Sequence, residues 1–217
     1  MIDNYCERVG PDLWAEPVNA ITNIAFFISF LLLLPRCKAV WPTIAWGNRS
    51  VVCLLMALLV AICLGSTAFH TLANRWSLMA DVIPISLFQL VFLIGYLAFI
   101  ARTRWFVAVP IVIAFLVAGS LLGRLPVAMN GSQSYLAPLI FVAGLGVYHL
   151  RHRLAFAWGL LLAAGVFVVS LSFRTIDNSL CGVWPLGTHF LWHVLNAVVL
   201  YLCLRVYIET VASDPVK

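Results

Sequence analysis

Charge is scarce in this chain. Of its 217 residues, 8 are acidic and 13 basic, so charged side chains make up only 10%. Soluble domains carry about 25%. Any class of protein that needs a solvated polar surface on all sides is therefore excluded. The net charge of +5 does not come from a basic run or patch. The cations punctuate apolar stretches, which is a signature of membrane topology and not of a nucleic-acid footprint. The sequence also lacks an internal repeat, a low-complexity segment and any polar insertion of domain size. At the N-terminus there is no basic region leading into a short apolar core, so no cleavable signal peptide is expected. The chain opens instead on acids: Asp3, Glu7, Asp12 and Glu16.

What remains is 64% hydrophobic. Apolar runs fall at residues 18–34, 51–69, 82–101, 105–122, 135–150, 154–173 and 187–206. Each is near the ~20 residues that a spanning helix needs. The expectation is an all-α membrane protein: one seven-transmembrane helix bundle formed by residues 1–217. Short connections make sequential helices antiparallel neighbours. The first, third and fifth connections carry Arg36, Lys38, Arg49, Arg102, Arg104, Arg151 and Arg153. The N-terminus and the even connections carry only Arg8, Arg75, Arg124 and Arg174, together with nearly all the acids. The positive-inside rule then puts the N-terminus outside and the C-terminus in the cytoplasm.

Against this apolar background the histidines stand out. His189 and His193 are four residues apart, so on a helix their rings share one face, one turn apart. Ionisable residues inside a membrane segment are costly, and they need partners. The second apolar run ends in Gly65-Ser66-Thr67-Ala68-Phe69-His70, the third begins near Asp81, and the seventh begins with the histidine pair. All these positions lie at the same, outer end of the bundle. Three neutral histidines with an open fourth position form the pattern of a catalytic zinc, which activates water and polarises a carbonyl. Asp81 is then placed to act as a general base. Ser66, one turn before His70, is placed to donate a hydrogen bond to a developing oxyanion. Each residue alone has a plainer reading. His70 could be a core histidine, Asp81 an N-cap, Ser66 a helix-packing residue, and the histidine pair part of a proton or ion path. His149 and His152, beside Arg151 and Arg153, read as interfacial residues and not as ligands. Cys37, Cys53, Cys63 and Cys203 read as small buried apolar residues.

Ser66 to His70, Asp81, the segment Phe173-Arg174-Thr175-Ile176-Asp177-Asn178 with Cys181, and Thr188-His189 to His193 resemble the alkaline ceramidases. These are seven-helix membrane hydrolases related to the adiponectin/progestin-type receptors. Asp3-Asn4-Tyr5-Cys6-Glu7 and Ala15-Glu16-Pro17-Val18-Asn19 resemble the family's opening motif. The likeness runs from residue 3 to about 205, in the manner of a compact bacterial-type member. It implies Zn2+ on His70, His189 and His193, with Ser66 and Asp81 as catalytic companions. It implies cleavage of ceramide, a membrane lipid, to a sphingoid base and a fatty acid near the outer (periplasmic or lumenal) face. It also implies Ca2+ on the N-terminal segment, through Asp3, Asn4, Tyr5, Glu7 and Glu16, and a disulfide between Cys6 and Cys181. Two departures stand out: a short connection from Cys181 to His189, and a short tail after the seventh helix. Neither a nucleic acid nor an obligate protein partner is expected. The competing functions are a zinc-containing lipid receptor of the same superfamily and a His/Asp proton or ion transporter.

Overall fold

The computed structural model describes residues 1–127 and 129–213. Its helices are α1 (Pro17–Thr22), α2 (Ile24–Val40), α3 (Trp46–Leu72), α4 (Arg75–Gly95), α5 (Trp105–Gly123), α6 (Leu136–Arg151), α7 (Gly159–Leu180) and α8 (His189–Ser213). The pair α1 and α2 forms the first span, so seven helical segments are long and apolar enough to cross a membrane. No strand occurs among the described residues.

The bundle is built around α8. Two-thirds of its apolar window (67%) is buried, against 6% for α5, which shows nearly all its side chains to the surroundings. Helix α8 packs against α7 and α2 and also touches α1 and α3, whereas α5 leans mainly on α6. Exposed Phe106, Val109, Ile113, Leu116 and Leu121 on α5 would be a liability in water. Facing lipid tails they cost nothing, and the helix satisfies its own backbone hydrogen bonds.

Helix ends differ from the runs of apolar residues in ways that matter for the site. The third span starts at Arg75 rather than near residue 82. Asn74 caps it by accepting from the Ser77 N–H at 3.1 Å, and the Ser77 hydroxyl accepts in return from the Asn74 N–H. Asp81 is thus not a cap. It lies in the second turn of α4, inside the bundle's polar end. The sixth span starts at Gly159, five residues later than hydropathy indicates, and ends at Leu180, seven residues later. Leu154, Phe156 and Trp158 are apolar but lie in a turn, where Arg153 and Phe156 adopt positive φ. At the other end the helix continues through Arg174 and Asp177 because both find partners within the protein.

The interfacial placement expected for His149 is corrected. Its ring is fully buried: Nδ1 is 2.8 Å from the Tyr96 hydroxyl and Nε2 is 2.9 Å from the Ala155 carbonyl. It ties α6 to the end of α4 and to the following turn. His152 is exposed and stacks on Tyr148. Cys37 and Cys203 are buried, but Cys53 lies on the outer face of α3 and Cys63 is half-buried.

Helices α3 and α4 make the most extensive contact in the fold, and Gly65 lets them approach. A Cβ at this position would lie 1.9 Å from the Ala80 carbonyl oxygen. Small residues serve close helix approach in this way. Gly65→Ala is expected to push the helices apart at the level of Ser66 and Asp81. The cost is about 1–3 kcal/mol by the usual scale of overpacking. It would be read as a lower Tm of the detergent-solubilised protein.

Candidate metal centre

Three elements meet at the end of the bundle where α3 finishes and α4 and α8 begin. His70 arrives on the last turn of α3, His189 is the first residue of α8, and His193 follows one turn later. All three are at most 2% exposed. One ligand atom from each lies within 4.8 Å of the others. Among the described residues, no other group of three His, Cys, Asp or Glu side chains is so disposed. The separations are compatible with a single ion, since tetrahedral bonds of about 2.0–2.1 Å place ligand nitrogens some 3.3 Å apart.

The rings are held from behind. The Nδ1 of His70 contacts the Glu16 carboxylate, and its buried Nε2 has no hydrogen-bond partner among the described residues. His193 Nδ1 is 3.0 Å from the Thr22 hydroxyl. His189 stacks on Tyr5, with ring centroids 3.5 Å apart, and its buried Nδ1 likewise has no partner among the described residues. A buried polar atom without a partner calls for an explanation. Two unpartnered imidazole nitrogens beside a third histidine fit the donor set of a metal ion. The carboxylate–histidine contact is the usual device for fixing a ligating ring's tautomer and orientation.

Glu16 sits in a buried network of its own. It pairs with Arg8, accepts from the Asn19 side-chain amide at 3.1 Å and contacts His70. Arg8 in turn donates to the His70 carbonyl at 2.9 Å. Burial alone would raise the Glu16 carboxyl, but His70 and Arg8 outweigh it and hold it below its ordinary value. Glu16 stays ionised at neutral pH as a result. Glu16→Gln is expected to loosen His70 and weaken binding of a metal ion at this site by about 10–100-fold, the usual penalty for losing such a partner. Competition with a chromogenic chelator reads that change.

The five residues placed on calcium by resemblance have different surroundings. Asp3 and Asn4 are exposed. Glu7 is turned to the start of α1, accepting the Val18 and Asn19 N–H groups at 2.7 and 2.8 Å. Burial pushes its carboxyl up, against the pull of those two N–H groups. Glu16 is engaged as described above, and Tyr5 contributes its ring to His189. Burial also raises the Tyr5 phenol, with Arg174 opposing, so Tyr5 is a neutral hydroxyl.

Ser66 is buried on α3, one turn before His70. Its side chain hydrogen-bonds the Asp81 carboxylate, near His70 and Arg174. The positions that spacing singled out therefore do converge. Spacing gave no sign of the supports. Arg174, on α7, donates to the Asn130 carbonyl and, at 3.2 Å, to the Ser132 hydroxyl, and lies over the rings of Tyr135 and Trp192. Asp177, fully buried, accepts the N–H groups of Thr188 and His189 at 2.6 and 2.9 Å and that of Cys6 at 3.1 Å. It thereby caps α8 and fixes the backbone at His189. Gly187 has φ +66°, and a Cβ there would lie 2.2 Å from Asp177 Oδ1. A buried Asp one helix before the His pair was the available signal. Cys6 and Cys181 are disulfide-bonded, with Cα atoms 5.2 Å apart, which fastens the N-terminal segment over the site. Comparison with protein-family models and with curated proteins found no match for this chain.

Proposed function

We propose that this chain is a zinc-dependent hydrolase of a lipid amide. The substrate class is ceramide, cleaved to a sphingoid base and a free fatty acid. One observation carries the reading: three buried imidazoles, two with unpartnered nitrogens, converge beside a Ser66–Asp81 pair at one end of an apolar bundle. His70, His189 and His193 would hold the zinc. Bound there, zinc supplies Lewis acidity, polarising an amide carbonyl and bringing the pKa of water down to about 7.

The chain's own groups account for the rest of the reaction. Asp81 accepts a proton from the attacking water and passes it to the amide nitrogen. The C–N bond then breaks, the amine leaves with that proton, and water's oxygen stays on the acyl carbon as a carboxylic acid. Ser66 donates a hydrogen bond to the carbonyl oxygen as it gains charge. Arg174 brings a fixed positive charge to the end of the bundle where a fatty carboxylate is formed. Because the centre lies at the end of helices that cross the membrane, substrate enters sideways from the leaflet. The charge asymmetry of the connections makes that leaflet the outer one.

The test is lipid mass spectrometry on purified protein given a mixed panel of amide lipids, with and without a chelator. Chelator-sensitive release of fatty acid from ceramide is the expected result. Full metal content with no turnover of any amide would contradict it and favour the receptor reading.

A further inference from the structure

At the end of the bundle opposite the metal centre, charge is distributed unevenly. The first, third and fifth connections and the last turns of α8 lie there. They carry most of the chain's cations, and Glu209 is the one acid there among the described residues. Arg205 lies about 24 Å along α8 from His189, by helix rise. It is level with the start of α7, where Gly159 packs against Val206. Exposed Trp46, Trp105 and Trp158 stand at the corresponding ends of α3, α5 and α7. Tryptophan collects at the membrane–water interface, so Arg205 lies at the depth of the lipid headgroups.

Arg36 and Arg205 share the Glu209 carboxylate. Arg36 donates from Nε to Oε1 at 2.9 Å and from Nη2 to Oε2, and Arg205 donates from Nε to Oε1 at 2.5 Å. Two guanidinium groups on one carboxylate leave a positive charge over. Their donors are not used up either. Each guanidinium has several N–H groups, and beyond Glu209 the further contact of Arg205 is to the Tyr201 hydroxyl, at a long 3.5 Å. Arg205, Glu209 and Tyr201 line a cleft of about 460 Å³, completed by Ala155 and Phe156 from the turn between α6 and α7. That volume falls within the range of small-molecule sites. Phe156 is 46% exposed, so its ring offers apolar surface beside the guanidinium. Basic pockets between membrane helices on the cytoplasmic side take anionic lipid headgroups.

We propose that this cleft binds an anionic phospholipid, with its phosphate on Arg205 and Tyr201 and its acyl chain against Phe156. The lipid supplies the second negative charge that the two arginines lack. A zwitterionic lipid also carries a phosphate but offsets it with its own ammonium, so it is the poorer match. The positive-inside rule places the cleft in the cytoplasmic leaflet, across the membrane from the metal centre. The site does not rest on the amidase reading, and its occupant is not the substrate.

The test is native mass spectrometry of the full-length protein, delipidated in a neutral detergent and titrated with phosphatidylglycerol or with phosphatidylcholine of the same chains. Phosphatidylglycerol is expected to bind about fivefold more tightly, the scale of one basic residue at an anionic membrane surface. Arg205→Gln is expected to bring the two lipids level. Arg36→Gln removes the same surplus charge from the other side of Glu209 and is expected to do likewise, which keeps the test decisive where Arg205→Gln fails to fold. Glu209→Gln retains both guanidinium groups and is expected to hold phosphatidylglycerol at least as tightly as wild type. Equal binding of the two lipids by wild type, or a preference that survives Arg205→Gln or Arg36→Gln, overturns the inference. Weaker phosphatidylglycerol binding in Glu209→Gln does the same. So does displacement by an equal concentration of inorganic phosphate, which would make the ligand a soluble anion.

Discussion

His193→Ala is expected to empty the metal centre and abolish turnover, while Asp81→Asn abolishes turnover with the metal still in place. The first substitution removes one of three imidazoles whose ligand atoms lie within 4.8 Å of one another. Losing a mere supporting partner of a ligand costs about 10–100-fold in affinity, so losing a ligand itself costs more. Bound zinc should fall below about a tenth of an equivalent per chain after dialysis, on that scale. Asp81 is not among the clustered ligands. Its amide analogue keeps the shape and removes the base, which reduces the rate by about 10²–10⁴-fold in general acid–base catalysis. Metal analysis by mass spectrometry and fatty-acid release, measured on the same preparations, separate the two effects. Loss of zinc in Asp81→Asn would mean that Asp81 serves the metal and not the proton.

The second large effect is on folding. Asp177→Ala is expected to cost at least about 4 kcal/mol, because hydrogen bonds to a charged acceptor contribute about 1.5–3 kcal/mol each and three are lost together. The carboxylate is fully buried, and it joins the start of α8, the disulfide-bonded N-terminal segment and α7. Removing it leaves three backbone N–H groups without their acceptor at the position where His189 enters the site. Asp177→Asn is expected to fall between the two, since its oxygen still accepts from Thr188 and His189 while its amide faces the Cys6 N–H. Thermal unfolding in detergent, followed by tryptophan fluorescence, gives the order wild type, Asn, Ala. An alanine variant as stable as wild type would mean that the N-terminal segment is held by the disulfide alone.

The seven helices were legible because membrane spans announce themselves by length and by the cost of charge. The histidine cluster was legible for the same reason: His70, His189 and His193 are expensive where they lie, so their positions carry information. The helix ends were less so. Leu154 to Trp158 are as apolar as a helix yet form a turn, because hydropathy registers burial and not φ. The apolar run opens near Asp81, but Asn74 and Ser77 supply the cap several residues earlier, so hydropathy alone misses the helix start. The roles of the site's supports were less legible for a further reason. Glu16 meets His70 across 54 residues, and Asp177 meets Cys6 across 171. Nothing in local spacing announces that a carboxylate braces a histidine so far along the chain. His149 was misplaced because two arginines beside it suggested an interface, whereas its ring turns inward to Tyr96.

The most direct test of a zinc held by His70, His189 and His193 is X-ray absorption at the zinc edge on the purified protein. The account predicts one zinc per chain with three imidazole nitrogens at about 2.0–2.1 Å and one oxygen, and the loss of that signal in His193→Ala. Sulfur in the coordination shell, or an unaltered spectrum when all three histidines are replaced, would contradict it.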